Sequence, residues 1–130
     1  MQEASGRFKV TDMHEQTYSE RHPGKLTRAN GTQEFAGDVE GVGRVEWLMC
    51  YGEDGTAEFV GMQEIEGTLD GRAGAFVLTS MGSFDGERSE GRWTVVSGSG
   101  RGDLAGVVGT GTWQAGPGPQ ASFQLSYELG

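Results

Sequence analysis

The sequence has one cysteine, three prolines and no long apolar run. Because Cys50 has no partner in the chain, a disulfide framework and a cysteine-based zinc site are both excluded. No stretch approaches the roughly 18 consecutive apolar residues of a membrane-spanning helix, and Met1–Gly6 lack a basic segment followed by a hydrophobic one. We therefore expect one cytoplasmic domain covering residues 1–130.

Basic residues are scarce relative to acidic ones. Ten Lys and Arg side chains stand against 19 Asp and Glu, which gives a formal net charge of −9. A chain of this charge repels phosphate backbones and anionic lipid surfaces, so we expect neither nucleic acid nor a membrane as a partner. His14 and His22 stand eight residues apart in one polar segment, a spacing that predicts no metal site. No nucleotide-binding or other cofactor motif is found, so no cofactor is predicted.

Apolar side chains alternate with polar ones, whereas helical periodicity is nearly absent. The 24 glycines fall between short apolar runs and mark turns, and Asp70-Gly71 and Asp85-Gly86 are two-residue hairpin signals. A polar connection is predicted over Met13 to Gly24. The eight predicted strands are one opened by Phe8 and Val10, followed by Leu26 to Val39, Arg44 to Tyr51, Ala57 to Leu69, Ala73 to Met81, Arg88 to Val96, Leu104 to Trp113 and Ala121 to Leu129.

Eight strands joined mostly by hairpins favour a closed antiparallel β-barrel. Closure removes the exposed strand edges that invite aggregation, and an eight-stranded barrel has room for side chains or one small ligand. A two-sheet sandwich is the alternative, but its Greek-key connections would need longer crossovers. The predicted fold class is therefore all-β.

The positions of the turns assign one face of the strands to the interior. The predicted inward residues are Phe35, Val45, Trp47, Met49, Tyr51, Phe59, Gln63, Ile65, Val77, Thr79 and Met81. On the opposite face, an apolar band predicts a contact between copies of the chain in a homo-oligomer. The residues of this band are Leu48, Val60, Met62, Phe76 and Leu78. A register error of one residue would exchange the two faces.

Few polar side chains interrupt the predicted interior. They are Gln33, Tyr51, Gln63 and Thr79, with Tyr127 from the last strand. Scarce polar groups in an apolar cavity fix the orientation of a ligand, and a buried tyrosine can exchange a proton with it. The alternative is that these groups only hydrogen-bond one another. The remaining side chains of the predicted ligand-binding surface are Phe35, Trp47, Met49, Phe59 and Met81.

Two glutamates are candidates for acid–base chemistry. Glu46 and Glu64 could transfer a proton if they reach a barrel mouth, where partial burial would raise their proton affinity. Arg44 is expected opposite Glu64, and a surface ion pair would explain that arrangement without any function. The predicted catalytic residues are Tyr51, Gln63 and Glu46.

Six segments of the chain carry a family resemblance. They are Lys25–Ala29, Phe35–Gly41, Phe59–Gly61, Gly71–Leu78, Trp93–Gly100 and Asp103–Gly106. Together they resemble an uncharacterised bacterial family with an allene oxide cyclase-like barrel, which is also lipocalin-like in its closure. The chain departs from that family at Gln63, where members often carry an acid, and at Thr79-Ser80, where they often carry Gln-His. The resemblance implies a barrel that folds a flexible, oxygenated hydrophobic substrate and steers its ring closure, as in polyketide spiroacetal formation.

Two functions follow as hypotheses. In the first, the protein is a cofactor-independent cyclase or isomerase of secondary metabolism, with Tyr51 and Gln63 polarising or protonating an oxygen and Glu46 as acid or base. In the second, the barrel binds or carries a hydrophobic metabolite without catalysis. A third interpretation, a structural or protein-binding domain, predicts a lumen filled by the protein's own side chains.

Overall fold

The computed structural model describes residues 1–130 and consists of strands and connecting turns. The strands are β1 (Gln2–Ser19), β2 (Lys25–Gly37), β3 (Val39–Tyr51), β4 (Ala57–Leu69), β5 (Arg72–Phe84), β6 (Ser89–Val95), β7 (Arg101–Gly102), β8 (Val107–Ala115) and β9 (Gln120–Leu129). Since the chain forms no helix, it contains none long and apolar enough to cross a membrane.

Eight of the strands form one closed antiparallel sheet, which confirms the predicted all-β barrel. The order around the barrel is β1-β2-β3-β4-β5-β6-β8-β9, and β9 pairs with β1 to close it. The short β7 pairs only with β5. We call the end with loops 20–24, 52–56, 85–88 and 116–119 the upper end. The lower end carries both termini and the segment 96–106.

Aromatic rings fill the middle of the barrel. Period-two alternation sends every second side chain inward, and the rings among them lie in contact across the lumen. Phe8 lies 5.2 Å from Phe35 between ring centroids, and Trp93 lies 5.4 Å from Phe123. The lower end is closed by Leu104, a fully buried residue of the segment 96–106. The more open end is therefore the upper one.

The first strand is longer than the alternation predicts. Instead of a polar connection over Met13 to Gly24, β1 continues to Ser19 and pairs with β2. A bulge between Val10 and Asp12 adds one residue to β1, so the alternation changes phase at that point. Met13–Gly24 is therefore mostly strand, and its polar composition reflects exposure on both faces.

The face predicted for β5 is wrong by one residue. The Asp70-Gly71 turn pairs Leu69 with Arg72, which places Gln63 opposite Leu78. Odd-numbered inward residues of β4 therefore lie opposite even-numbered residues of β5. The buried side chains of this strand include Phe76, Leu78 and Ser80, whereas Val77, Thr79 and Met81 face outward. Phe76 and Leu78 consequently do not belong to the exposed apolar band.

Candidate functional site

A polar cluster lies at the upper end, where the lumen opens. Tyr51 ends β3, Thr27 lies on the facing part of β2, and Glu15 comes from the extended β1. The hydroxyl of Tyr51 donates a hydrogen bond of 2.8 Å to Oε2 of Glu15, and Thr27 Oγ1 donates another of 2.8 Å to the same oxygen. We call these three residues the mouth cluster. The bulge in β1 is what turns Glu15 toward the side of the sheet on which Thr27 lies.

The mouth cluster keeps its phenol protonated. Burial is the main cause, and the hydrogen bond and negative charge of Glu15 add to it, so that the pKa of Tyr51 rises from 10.0 to about 12. The ammonium of Lys25 lies 5.1 Å from the centre of the Tyr51 ring, in a cation–π position. At neutral pH the cluster therefore offers a neutral phenol whose proton points at a carboxylate.

A concavity of about 1250 Å³, lined by both polar and apolar residues, adjoins the mouth cluster. Its lining includes the inward-facing Met49, Phe59, Trp113 and Phe123 as well as outward-facing side chains. Met49 connects the two features, because it lines the concavity and its Sδ lies 3.7 Å from the hydroxyl of Tyr51. An apolar molecule in the concavity would therefore have a polar anchor within reach.

Buried polar groups also lie in the middle of the barrel. Gln63 donates a hydrogen bond of 3.0 Å to Oε1 of Gln33, and Trp113 Nε1 donates one of 3.3 Å to Ser80. The amide nitrogen of Gln33 donates to no protein group, and neither do the indole nitrogens of two tryptophans, Trp47 and Trp93. All three unpartnered groups are donors, and such buried groups carry a cost in stability.

A second tyrosine closes the lower end. Tyr127 is fully buried, and its hydroxyl donates a hydrogen bond to Oδ2 of Asp70 in the β4–β5 turn. Burial, and then this hydrogen bond and charge, raise the pKa of Tyr127 to about 12. Asp70 adopts a positive φ of 50°, as the tight two-residue turn requires. This pair fastens the turn to the barrel and lies at the end opposite the mouth cluster.

The structure separates the predicted site residues into groups. Tyr51 and Met49 lie at the upper mouth, and Gln33 and Gln63 form the buried amide pair. Phe35, Trp47, Phe59 and Tyr127 face inward as predicted and belong to the packed core. Thr79 and Met81, which the sequence predicts to face inward, face outward, because β5 pairs with β4 in a register shifted by one residue.

Glu46 does not reach a barrel mouth. It lies on the outer face of β3, opposite Asn30 and Met62, because its inward neighbours are Val45 and Trp47. It therefore cannot act on a molecule inside the barrel. Elsewhere on the outer face, Arg44 does lie opposite Glu64 as predicted.

Sequence reasoning missed Glu15 and Thr27. Glu15 was placed in a connection, and the bulge that turns it inward leaves no mark in the alternation. The sequence does contain one indication that Thr27 faces inward. In Lys25–Ala29, the small or polar residues Thr27 and Ala29 alternate with larger ones. No group of three or more His, Cys, Asp or Glu side chains is arranged to hold a metal ion.

Fold and geometry together define a small, eight-stranded antiparallel barrel with a packed centre and one polar mouth. The chain belongs to the DUF3224 family, described as a protein of unknown function, whose profile matches residues 4–127. It is similar to the crystal structure of a DUF3224 protein of unknown function from Shewanella oneidensis MR-1, with 27% sequence identity and a TM-score of 0.78. That similarity covers 100% of this chain and 98% of the other. No match was found among curated proteins.

Proposed function

We propose that the protein binds a hydroxyl-bearing apolar small molecule at the upper end of the barrel. The observation that carries this proposal is the mouth cluster, in which the carboxylate of Glu15 is held by two donors beside a concavity that Met49 and Phe59 help to line. An ionised carboxylate has about four lone-pair positions, so Glu15 can accept a further hydrogen bond from a ligand hydroxyl. The packed rings below leave the mouth as the place where a ligand meets both apolar and polar groups.

The apolar contacts would supply affinity, and the polar contacts would orient the ligand. Met49 and Phe59 would cover the hydrocarbon part, which contributes roughly 25 cal/mol for each Å² of apolar surface buried. Glu15 would orient the hydroxyl, and Tyr51 would hold Glu15 in place. Such a division is typical of small-molecule sites, where a few polar groups fix a largely apolar ligand.

The test uses 1-decanol as the probe and decane as its matched control ligand. Binding is followed by tryptophan fluorescence, since Trp113 lines the concavity. We expect decanol to bind and Glu15→Gln and Tyr51→Phe to weaken it by about tenfold, the loss of one hydrogen bond to a charged group. Tyr127→Phe is the control variant, because Tyr127 donates its hydrogen bond to Asp70 at the lower end and does not line the concavity. Equal affinity of Tyr51→Phe and Tyr127→Phe for decanol would contradict the proposal.

A cyclase or isomerase is the second candidate, and the Tyr51–Glu15 hydrogen bond favours it. A phenol paired with a carboxylate can pass a proton to and from a bound oxygen, and it would take the place of the predicted Tyr51, Gln63 and Glu46 set. Glu15 then supplies the base that Glu46 cannot supply from outside. The resemblance to allene oxide cyclase-like barrels points to ring closure of an oxygenated substrate, with polyketide-type molecules as the class.

Catalysis is separated from binding by the product. A dihydroxyketone closes to a spiroacetal when its hydroxyls add to the carbonyl carbon and one water leaves, and chiral chromatography follows both rate and handedness. Enzymatic closure should give one enantiomer in excess, and Tyr51→Phe should slow it by about 10²–10⁴-fold, the usual size of an acid–base contribution. Racemic product at the uncatalysed rate, with decanol still bound, would leave binding as the function.

A further inference from the structure

An apolar strip crosses three neighbouring strands on the outside of the barrel. Leu48, Val60 and Met81 lie directly opposite one another on β3, β4 and β5, and Met62 follows Val60 on the same face. These four side chains are between 46% and 57% exposed. Single exposed apolar residues are normal on a protein surface, but contiguous ones usually mark an interface.

Charges of both signs border the apolar strip. The central row across β2 to β6 reads Arg28, Leu48, Val60, Met81 and Arg92. Glu46 and Glu58 lie beside this row on β3 and β4. A surface with an apolar centre and both signs of charge on its rim is complementary to itself, because a two-fold-related copy can set an arginine against a glutamate.

The charge of the whole chain narrows the choice of partner. A net charge of −9 opposes nucleic acids and anionic membranes. A second copy carries the same net charge, but it brings the same apolar strip and the same bordering arginines to the contact. Arg28 and Arg92 are two of only ten basic residues in the chain, and both end the row that the strip occupies.

We propose that a second copy of this chain docks on the apolar strip and forms a two-fold symmetric dimer. The dimer does not depend on the proposed ligand, since the strip, the rim charges and their positions are properties of the free protein.

Sedimentation velocity over a range of protein concentrations tests the dimer. We expect the wild-type protein to sediment as a dimer, and Val60→Lys to raise the dissociation constant by at least about tenfold because a lysine would be buried without a partner. Val42→Lys is the matched control. Val42 is 53% exposed on the same strand as Leu48 but stands six residues from it, about 20 Å along the strand.

Two results of the sedimentation experiment would overturn the proposed dimer. A wild-type protein that is monomeric up to its solubility limit overturns the proposal, as does a dimer that Val42→Lys weakens as much as Val60→Lys does. Near-ultraviolet circular dichroism of each variant checks that the barrel is folded. A dimer weakened only by Val60→Lys supports the apolar strip as the interface.

Cys50 provides a second measurement that does not depend on a variant's fold. It is exposed, lies two residues after Leu48 on the same outer face, and carries the only thiol. In the proposed dimer the second copy covers it, so its alkylation by iodoacetamide should slow several-fold as protein concentration rises. A rate that is independent of concentration while the protein dimerises would place the interface elsewhere and overturn the proposal.

Discussion

Glycines and aromatic rings share the same space inside the barrel. The ring of Trp47 lies where a side chain at Gly61 would be, and Trp113 occupies the corresponding space at Gly91. Each glycine faces inward from the strand that neighbours its ring. Large rings therefore pack against bare backbone, which allows three tryptophans and several phenylalanines to fit inside one small barrel.

Gly91→Ala should destabilise the barrel substantially, although it adds only one methyl group. A methyl group at Gly91 would overlap the indole of Trp113, which is held in place by its hydrogen bond to Ser80. Forcing extra volume into a packed core typically costs about 1–3 kcal/mol. We expect a loss of that size in the free energy of unfolding, measured by urea denaturation.

Gly116→Ala is the control for this substitution. The nearest atom to a methyl group there belongs to Arg88 and lies 4.0 Å away, and the backbone of Gly116 is not in the left-handed region. Its unfolding free energy should stay within about 0.5 kcal/mol of wild type, as for most surface substitutions. Equal losses of unfolding free energy in Gly91→Ala and Gly116→Ala would mean that the packing of Trp113 does not require a glycine at position 91.

Strands were predictable where turn chemistry fixed their ends. Ala57–Leu69 was predicted with its observed bounds, because Gly52–Gly55 and Asp70-Gly71 are strong turn signals on both sides. β1 was cut short because a bulge resets its alternation, and the inward residues of β5 were displaced by one because the register across a turn depends on its length. Both errors concern how strands align, which depends on partners distant in sequence.

The mouth cluster adds a direct contact between β1 and β3 near the end of the long β1–β2 hairpin. Beyond Lys9 the first strand pairs with β2 alone, and β2 in turn pairs with β3 as far as Lys25 and Tyr51. The hydrogen bond from Tyr51 to Glu15 supplements this ladder. If Tyr51 ionises, a phenolate faces the carboxylate of Glu15 and the contact becomes repulsive, so this part of the structure should be sensitive to alkaline pH.

Stability should fall at high pH through Tyr51. Its pKa is 10.0 in the unfolded chain and about 12 in the folded one. A raised folded-state pKa of this kind stabilises fully below pH 10 and loses its effect as the pH rises to about 12. We expect the unfolding free energy of wild type to exceed that of Tyr51→Phe by about 1 kcal/mol at pH 8, and this advantage to be lost or reversed as the pH rises from 10 to 12.

The comparison with Tyr51→Phe isolates one tyrosine. Tyr127 has a pKa raised to about the same value, but it is present in both proteins and its effect cancels in their difference. Urea denaturation at several pH values gives the two unfolding free energies. If the difference in unfolding free energy between wild type and Tyr51→Phe stays constant from pH 8 to pH 12, ionisation of Tyr51 does not affect folding.

At the scale of the whole molecule, the interior of the barrel is mainly aromatic but has a polar centre. The sequence predicted this much, since Gln33 and Gln63 fall on the inward face of alternating strands. It left open that the inward polar groups hydrogen-bond one another, but it did not single out these two amides, because β2 and β4 are not neighbours in the sheet. The mouth cluster could not be predicted from the sequence either. It joins β2 and β3 to a part of β1 that the sequence predicts as a connection.

The two amides should depend on each other, so that removing only one of them lowers the free energy of unfolding. Gln63→Met removes the donor to Gln33 and leaves both polar atoms of that side chain unpaired, which should cost about 1–3 kcal/mol. Gln33→Met also removes the unpartnered amide nitrogen, so it should cost less. The double variant replaces both groups with apolar ones of similar shape and should be more stable than either single variant.

A double-mutant cycle by urea denaturation measures this coupling. Gln63→Met combined with Thr11→Val is the control, because the exposed Thr11 hydroxyl bonds to Thr32 and shares no partner with Gln63, so the two losses should add. Additive losses at the glutamines would mean that the two amides do not depend on each other. A double variant more stable than wild type would show that the amides are kept at a cost to folding, and its affinity for decanol would then decide whether the polar centre serves the ligand at the mouth.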